Sequence, residues 1–341
     1  MRAGRPADCL ESAHMVTPSI ADIFRARLLQ KPYLSPTPLA SYPLLDRSTG
    51  MSVLVKHENL QPTGAFKVRG GITLLGGMDP RERARGVVGY STGNHAQSLA
   101  YAAARFGAPC TIVMPQDSNP VKTAAVRRLG ADLVEFGATF DEARVHAEEL
   151  AVARGMRLVS AGDEPDLIAG VATAYLEIFE QEPELDVVVV PVGGGSGAAA
   201  ACLVASVVRP ECRVVAVQSR RSPAAHDSWH AGRCLRRPNE TGAEGLATGS
   251  GFELPQSLMR KYLADFVLVD DEEIRAAQWA LIRDARTVAE AAGAAPLAAL
   301  PALRESVGGG RVAVVVSGGN VSEAELRACV RASVSEGGAV A

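Results

Sequence analysis

The chain has 341 residues, of which 47% are hydrophobic and 21% charged, so it can bury a large core in one or two globular domains. Its 35 basic and 38 acidic residues give a net charge of -3, and neither sign forms a long run. This balance argues against a nucleic-acid surface and favours a small-molecule partner.

The cysteines and the N-terminus bear on the compartment. The six cysteines are scattered without a Cys-x-x-Cys pair, which is typical of buried thiols in a reducing compartment. There is no apolar signal region at the start, and no stretch approaches about 18 unbroken apolar residues. We therefore expect a cytoplasmic protein without a membrane span. Residues 1–14 are expected to be a disordered extension, because Met15 precedes the first helical pattern and could itself be a start.

The predicted elements begin with a helix over residues 19–30. From about Val53, short β-branched runs alternate with segments rich in Ala, Leu and Arg, which predicts βα units around mostly parallel sheets. The first series comprises Val87–Tyr90, a helix from about His95, Cys110–Met114, a helix from about Pro120, residues 133–136, a helix from about Phe140, and Arg157–Val159.

A second series follows a domain boundary predicted near residues 162–165. It comprises residues 187–190, a helix from about Ser196, residues 214–217, a helix over residues 271–290, and residues 312–316. A polar segment at residues 218–262 is too long for a simple connection, so we expect active-site loops there. The predicted class is α/β, with two open, mostly parallel twisted sheets and flanking helices.

Lys67 is the first candidate for chemistry. It follows a turn that contains Pro62 and Gly64, stands beside Phe66 and opens a helical stretch. A helix terminus and partial burial would lower the pKa of its amine, as a Schiff-base lysine requires. Only five of the 35 basic residues are lysines, and arginine cannot form an imine. The alternative is a solvated surface lysine.

A glycine-rich turn, Gly193-Gly-Gly-Ser-Gly197, joins an apolar strand to an alanine-rich helix. Its backbone N–H groups and the helix N-terminus can surround a phosphate. The turn also fits a loose dinucleotide fingerprint, or a purely structural strand-to-helix connection. About 20 residues on, however, Gln218 stands where a ribose-binding Asp or Glu is expected, which argues against a nicotinamide enzyme.

Two other turns could complete a site. The run Ser91-Thr-Gly-Asn-His-Ala-Gln97 can receive a carboxylate through its hydroxyls and free N–H groups, or can serve only as a helix N-cap. Ser317-Gly-Gly-Asn320 follows a predicted strand and could bring a hydroxyl close to a planar ring. By itself the second segment is no more than a turn.

With these four segments in this order, the chain resembles the fold-type II, tryptophan-synthase-β-like family of pyridoxal-phosphate enzymes, closest to its serine/threonine dehydratase and serine racemase branch. The match covers roughly residues 20–330. The resemblance implies a large cofactor-binding domain of residues 15–76 and 164–333 and a small α/β domain of residues 77–163. It also implies that the cofactor lies in the cleft between them and that the protein is a homodimer.

The resemblance assigns roles to individual residues. Lys67 forms the Schiff base and acts as general base, and Ser317 faces the pyridine nitrogen. The implied cofactor contacts are Phe66, Lys67, Asn94 at the phenolic oxygen, Gly193, Gly194, Gly195, Ser196 and Gly197 at the phosphate, Glu290 and Ser317. The implied contacts of the substrate carboxylate are Ser91, Thr92, Gly93, Asn94 and His95. In the segment of Glu290, Ala291 replaces a proline of the family pattern.

The implied reaction follows from the same comparison. Ala-Phe-Lys67-Val-Arg-Gly is the dehydratase form of the motif, and a serine at the pyridine nitrogen makes the ring a weaker electron sink. Prompt loss of a β-leaving group is then favoured, so we expect α,β-elimination from a β-hydroxy-L-amino acid of the threonine or serine type. The products are a 2-oxo acid and ammonia. Since the chain ends soon after its last helix, no regulatory effector domain is expected.

Three points stay open. Racemisation needs a second acid/base, and Thr92 stands where serine racemases have serine, so a serine or hydroxyaspartate racemase, or another β-elimination or β-replacement enzyme, is the alternative. A divalent or monovalent cation would have Glu240 and Glu244 as candidate ligands, although a solvated acidic loop fits equally well. Residues 247–255 depart from the threonine dehydratases, which could admit a bulkier substrate such as phenylserine or a charged one such as hydroxyaspartate.

Overall fold

The structure is a computed structural model that describes residues 16–91, 93–116, 118 and 120–337. The extension expected at residues 1–14 lies outside the described residues. The helices are α1 (Ile20–Gln30), α2 (Pro43–Thr49), α3 (Lys67–Gly77), α4 (Pro80–Arg85), α5 (Asn94–Phe106), α6 (Pro120–Arg128), α7 (Phe140–Arg154), α8 (Pro165–Gln181), α9 (Ser196–Val208), α10 (Ala224–Ala231), α11 (Glu253–Tyr262), α12 (Asp271–Ala285), α13 (Ala291–Ala298), α14 (Leu300–Val307) and α15 (Glu323–Gly337). The strands are β1 (Leu39–Ser41), β2 (Ser52–His57), β3 (Val87–Tyr90), β4 (Cys110–Met114), β5 (Asp132–Glu135), β6 (Arg157–Val159), β7 (Val187–Pro191), β8 (Arg213–Ser219), β9 (Asp265–Val269) and β10 (Arg311–Val316).

The larger sheet has six strands in the order β1-β2-β10-β7-β8-β9. β1 pairs antiparallel with β2, and the other four pairings are parallel. β7 and β10 are runs of valine at the centre of the sheet, where helices cover both faces, and Val188 and Val189 are almost fully buried. Each such side chain contributes about 1.5–3 kcal/mol of hydrophobic stabilisation.

The smaller sheet has four parallel strands in the order β5-β4-β3-β6. β3, β4 and β6 have the predicted bounds, and β5 begins one residue before the predicted strand. The predicted α/β class with two mostly parallel sheets is therefore confirmed. None of the described helices is both long and apolar enough to cross a membrane.

The helix predicted over residues 271–290 is too long. α12 ends at Ala285 because Arg286 takes a left-handed conformation, with φ 53°, and its N–H donates to the Leu281 carbonyl oxygen. The chain then continues without regular structure to Glu290, which becomes the N-cap of α13. The break places Glu290 at a helix end instead of on a helix face.

The polar segment at residues 218–262, where active-site loops were expected, is partly helical. It contains α10 and α11, and β9 follows it at the edge of the larger sheet. The sequence analysis predicted none of these three elements. The loop between the two helices still reaches towards the glycine-rich turn, since Thr248 Oγ1 donates to the Gly193 carbonyl oxygen over 3.1 Å.

α3 lies against both α5 and α8 and so joins the elements of the two sheets. Glycines permit this approach, because a Cβ on Gly71 would stand 2.4 Å from Ser98 Oγ of α5 and one on Gly170 of α8 would stand 2.6 Å from the Arg69 carbonyl oxygen. Ser98 Oγ also donates to the Lys67 carbonyl oxygen over 2.6 Å. The first residue of α3, Lys67, is therefore held in place through its own backbone.

Candidate active site

The loop that leads into α3 places the Lys67 amine. Gly64 has φ +69°, which favours glycine, and the Phe66 N–H donates to the Ser317 carbonyl oxygen over 2.9 Å. This bond ties the loop to the end of β10. The Lys67 Nζ lies 5.4 Å from the centroid of the Phe66 ring. As the sequence predicts, Lys67 is the first residue of a helix.

The Lys67 amine is partly buried and has no carboxylate partner among the described residues. Its Nζ donates to Ser196 Oγ over 2.7 Å and to the Ala161 carbonyl oxygen over 3.2 Å. Burial lowers the pKa of Lys67 from 10.5 to about 8, because the charged form is deprived of water. A substantial fraction of the neutral, nucleophilic amine therefore exists near neutral pH.

The glycine-rich turn lies beside this amine, since Ser196, the hydroxyl partner of Lys67, is the first residue of α9. Gly195 has φ +88°. A Cβ on Gly193 would stand 2.3 Å from the Gly245 carbonyl oxygen, so close packing alone requires glycine there. The turn also directs the N-terminus of α9 towards the amine, and a helix N-terminus binds anions. A partly buried amine and a helix N-terminus thus meet at one place.

Asn94 and Glu290 form a polar contact between the elements of the smaller sheet and those of the larger one. Asn94 is the first residue of α5, and its Nδ2 donates to Glu290 Oε1 over 2.6 Å. Burial raises the pKa of Glu290 from 4.5 to about 7, although Asn94 and Lys122 act in the opposite direction. A Cβ on Gly318 would stand 2.4 Å from Glu290 Oε1, so the turn after β10 packs directly on this carboxyl.

The turn from β3 to α5 supplies polar groups with few partners. The Gly93 N–H donates to Ser91 Oγ over 3.2 Å. His95 is buried, and neither of its ring nitrogens has a hydrogen-bond partner of acceptable geometry among the described residues. Burial, followed by the charge of Lys67, lowers the pKa of His95 to about 3. Buried polar atoms without partners indicate a place that a polar ligand can complete. Thr92 lies outside the described residues.

The two candidate metal ligands are not brought into a cluster. Glu244 pairs with Lys122 of α6, and Glu240 is exposed, with its N–H donating to the Arg221 carbonyl oxygen. The described part of the chain contains no group of three or more His, Cys, Asp or Glu residues arranged to hold a metal ion. The structure therefore does not support a cation at this position.

The sequence analysis missed two residues of this region. Asn320 Nδ2 donates to Asn94 Oδ1 over 2.8 Å, although only its turn, and not its side chain, was singled out. Lys122 joins the smaller sheet to Glu244 and lies near Glu290. The sequence feature that could have drawn attention to Lys122 is that only five of the 35 basic residues are lysines. No sequence pattern identified the contact of Asn320.

Comparisons with known proteins identify relatives of the whole chain. Among curated relatives, L-threonine ammonia-lyase of Thermotoga maritima is 39% identical over 304 residues, which cover 89% of this chain and 76% of the relative. β-Hydroxyaspartate dehydratase of Paracoccus denitrificans is 34% identical over 308 residues, 90% and 98% of the two chains. Biosynthetic L-threonine dehydratase of Salmonella typhimurium is 37% identical over 317 residues, 92% of this chain but only 62% of the relative. The chain thus spans less than two thirds of that last enzyme.

Solved structures give the same picture. Maize serine racemase superposes with a TM-score of 0.88 at 28% identity, covering 94% of this chain and 99% of that chain. The processed form of threonine deaminase isoform 2 from Solanum lycopersicum has a TM-score of 0.85 at 27% identity, covering 93% and 94%. The sequence profile described as "Pyridoxal-phosphate dependent enzyme" matches residues 31–318. The chain belongs to this family of pyridoxal-phosphate dependent enzymes and has their type II fold.

Proposed function

We propose that this protein is a pyridoxal-phosphate dependent lyase that removes water and then ammonia from a β-hydroxy-L-amino acid, giving a 2-oxo acid. The observation that carries the proposal is the partly buried Lys67 amine, which lies beside the glycine-rich turn with its pKa lowered to about 8. Relatives named as ammonia-lyases and dehydratases of threonine and hydroxyaspartate support this reaction. Both the lyase activity and the β-hydroxy-L-amino acid substrate are part of this proposal.

The described residues fit the cofactor. Lys67 would hold its aldehyde carbon, and the turn from Gly193 to Gly197 its phosphate, because the glycines leave backbone N–H groups uncovered by side chains. Phe66, Asn94, Glu290 and Ser317 would surround the ring. When bound, the cofactor supplies an electron sink for the α-carbon of the substrate. We place it in the cleft between a domain of residues 15–76 and 164–333 and one of residues 77–163.

The protein's own groups bind the substrate and move its α-proton. The N-terminus of α5, with Ser91, Thr92, Gly93, Asn94 and His95, would receive the carboxylate through N–H and hydroxyl donors. Lys67, once released by the substrate amine, would remove the α-proton, for which a pKa of about 8 is well matched to neutral pH. Ser196 Oγ, 2.7 Å from Nζ, keeps the amine oriented.

A racemase of serine or hydroxyaspartate is the second candidate, because maize serine racemase superposes over 94% of this chain. Racemisation requires an acid on the opposite face of the α-carbon, and we propose the hydroxyl of Thr92 for that role. The accompanying proposals are a homodimer, a cytoplasmic location and room for a bulky β-substituent such as that of phenylserine. A cation held by Glu240 and Glu244 stays a prediction, which activity after chelation tests.

The experiment is release of 2-oxo acid and ammonia by the purified protein with added cofactor. The substrates are L-serine, L-threonine, threo-3-hydroxyaspartate and L-threo-phenylserine, with chiral analysis of the remaining amino acid. We expect turnover of at least one substrate, loss of turnover in Lys67→Ala, and retention in Lys31→Ala, a control at an exposed lysine. Absence of 2-oxo acid from all four substrates, with cofactor bound, would contradict the lyase. Inversion of the amino acid in that case would establish the racemase.

A further inference from the structure

A chain of hydrogen bonds runs from the loop before Lys67 to the carboxyl of Glu290. Asn320 Nδ2 donates to the Thr63 carbonyl oxygen over 2.8 Å and to Asn94 Oδ1 over 2.8 Å. Asn94 Nδ2 then donates to Glu290 Oε1 over 2.6 Å. These hydrogen bonds join the segment before α3, the turn after β10, the start of α5 and the start of α13. The proposed function assigns a role to Asn94 but none to Asn320.

The polarity of this chain is fixed at one end. A backbone carbonyl oxygen can only accept, so the side-chain atom of Asn320 that faces Thr63 must be the NH₂ group. The same nitrogen faces Asn94, which must therefore present its Oδ1 there. The Asn94 Nδ2 is then turned towards Glu290. This order holds in either protonation state of Glu290, because it is set by the Thr63 carbonyl.

As a result, the second N–H of the Asn94 amide remains available to donate to a ligand. An amide nitrogen carries two hydrogens, and one of them is engaged by Glu290. The reversed amide would set the Asn94 NH₂ group against the Asn320 NH₂ group, leaving two donors opposed. The reversed amide would also present an acceptor where the second N–H now stands. Asn320 therefore determines whether Asn94 offers a donor or an acceptor.

Asn320 is itself held by its surroundings. A Cβ on Gly64 would stand 2.5 Å from Asn320 Oδ1, so the side chain packs directly against the loop before Lys67. The Gly319 N–H donates to the Gly64 carbonyl oxygen over 2.9 Å, and Ala65 bridges to Gly318. The turn after β10 and the Lys67 loop are thus hydrogen-bonded to each other, and the Asn320 side chain connects them to Asn94 at the start of α5.

We propose that Asn320 is a positioning residue that fixes the amide of Asn94 so that an N–H, and not the carbonyl oxygen, is directed at the phenolic oxygen of the cofactor. The inference rests on the proposed function, in which Asn94 contacts that oxygen. An N–H donor favours the anionic phenolic oxygen and so disfavours the proton that this oxygen shares with the Lys67 imine nitrogen. Loss of the donor raises the pH at which the visible absorbance of the bound cofactor titrates.

The test uses Asn320→Ala, Asn94→Ala and the double variant, each loaded with pyridoxal phosphate. The measurements are the pH midpoint of the visible absorbance and the dissociation constant of the cofactor. Asn59→Ala is the matched control, because Asn59 Nδ2 also donates to two acceptors, Thr287 Oγ1 over 3.0 Å and the Val288 carbonyl oxygen over 3.1 Å. The control removes a comparable pair of hydrogen bonds without touching Asn94.

We expect Asn320→Ala to raise the midpoint by about half to one pH unit, and Asn94→Ala to raise it at least as much. The double variant should show no shift beyond that of Asn94→Ala, because Asn320 acts only through Asn94. Asn59→Ala should leave the midpoint unchanged. Additive shifts in the double variant, or an unchanged midpoint in Asn320→Ala while Asn94→Ala shifts it, would overturn the role of Asn320 alone. An unchanged midpoint in Asn94→Ala would instead remove the proposed contact of Asn94 on which the inference rests.

Discussion

Two polar clusters each include a residue from the first turn of α3, and they differ in how their charges are paired. The first, the buried tetrad, consists of Lys56, Glu58, Arg69 and Glu177. Its two cations and two anions are paired with one another. The second cluster surrounds Lys67, only two residues from Arg69, and among the described residues its amine has no opposite charge in contact. The same short segment therefore contributes to a balanced cluster and to an unbalanced one.

The tetrad satisfies its charges completely. Arg69 donates to Glu58 and to Glu177 over 2.7 Å each, and Lys56 Nζ donates to Glu177 over 2.8 Å. Burial alone would raise the pKa of Glu58, but the charges of Arg69 and Lys56 outweigh it and hold this pKa below its usual range. Burial lowers the pKa of Lys56, while the charges of Glu177 and Glu58 act in the opposite direction. The mutual pairing of the four groups suits a structural role that joins β2, α3 and α8.

The groups around Lys67 are instead driven towards neutrality. Burial lowers the pKa of Lys67 to about 8 and that of His95 to about 3, and raises that of Glu290 to about 7. Groups that must exchange protons or form bonds need such poised values, whereas structural ion pairs do not. Among the described residues, the lack of an opposite charge in contact, more than burial itself, distinguishes the groups around Lys67 from the tetrad.

The largest effect is expected at Lys67. Lys67→Arg keeps a cation at the position but cannot form an imine, so turnover should fall by more than about 10³-fold and the visible absorbance of the bound cofactor should vanish. Arg69→Lys, two residues away, should retain that absorbance if it folds. Normal absorbance in the Lys67→Arg protein would remove the distinction between the two clusters.

Among these variants, the one that breaks the buried tetrad should lose the most stability. Glu177→Gln leaves Arg69 and Lys56 with one carboxylate between them, and the free energy of unfolding should fall by about 3–5 kcal/mol in urea titrations. Glu180→Gln on the same helix is the control, because Glu180 pairs with Arg27 at the surface. That variant should lose less than about 1 kcal/mol. Equal losses in the two variants would show that the tetrad is not a buried structural unit.

Cofactor loading should depend on pH through the Lys67 amine. Only the neutral amine attacks an aldehyde, so in the cofactor-free protein the rate of imine formation should rise with pH and reach half its maximum near pH 8. Between pH 6 and pH 8 the rate should increase by about 50-fold. Stopped-flow absorbance after mixing with pyridoxal phosphate measures this rate. A midpoint near the ordinary 10.5 would mean that the amine is not desolvated.

The smallest effect is expected at the pair between Lys122 and Glu244. The Glu244 side chain is 56% exposed, so water screens the pair, and Glu244→Gln should change the free energy of unfolding by less than about 1 kcal/mol. Urea titration beside Glu177→Gln gives the comparison directly. A loss as large as that of Glu177→Gln would mean that exposure does not separate the two kinds of pair.

The sequence predicts the fold well where local pattern determines it. Valine runs such as Val187–Pro191 favour buried strands, and the bounds of β3, β4 and β6 follow from the same kind of run. The glycine-rich turn and Lys67 could be singled out as candidates because each lies in a short contiguous segment with a distinctive composition. The family resemblance drawn from these segments is confirmed by the profile match over residues 31–318.

What the sequence does not predict depends on distant contacts. Lys56 and Glu177 are 121 residues apart, and Asn320 and Asn94 are 226 apart, so no local pattern connects either pair. The end of α12 at Ala285 depends on one left-handed residue, Arg286, which nothing in its neighbours requires. These are the features that tertiary packing decides.

The central claim is that Lys67 holds the cofactor, and its most direct test is borohydride reduction of the loaded protein followed by peptide mass spectrometry. We expect a phosphopyridoxyl group on the peptide that contains Lys67 and on no other lysine. Modification of Lys122, the other partly buried lysine near this site, or of no lysine at all, would contradict it.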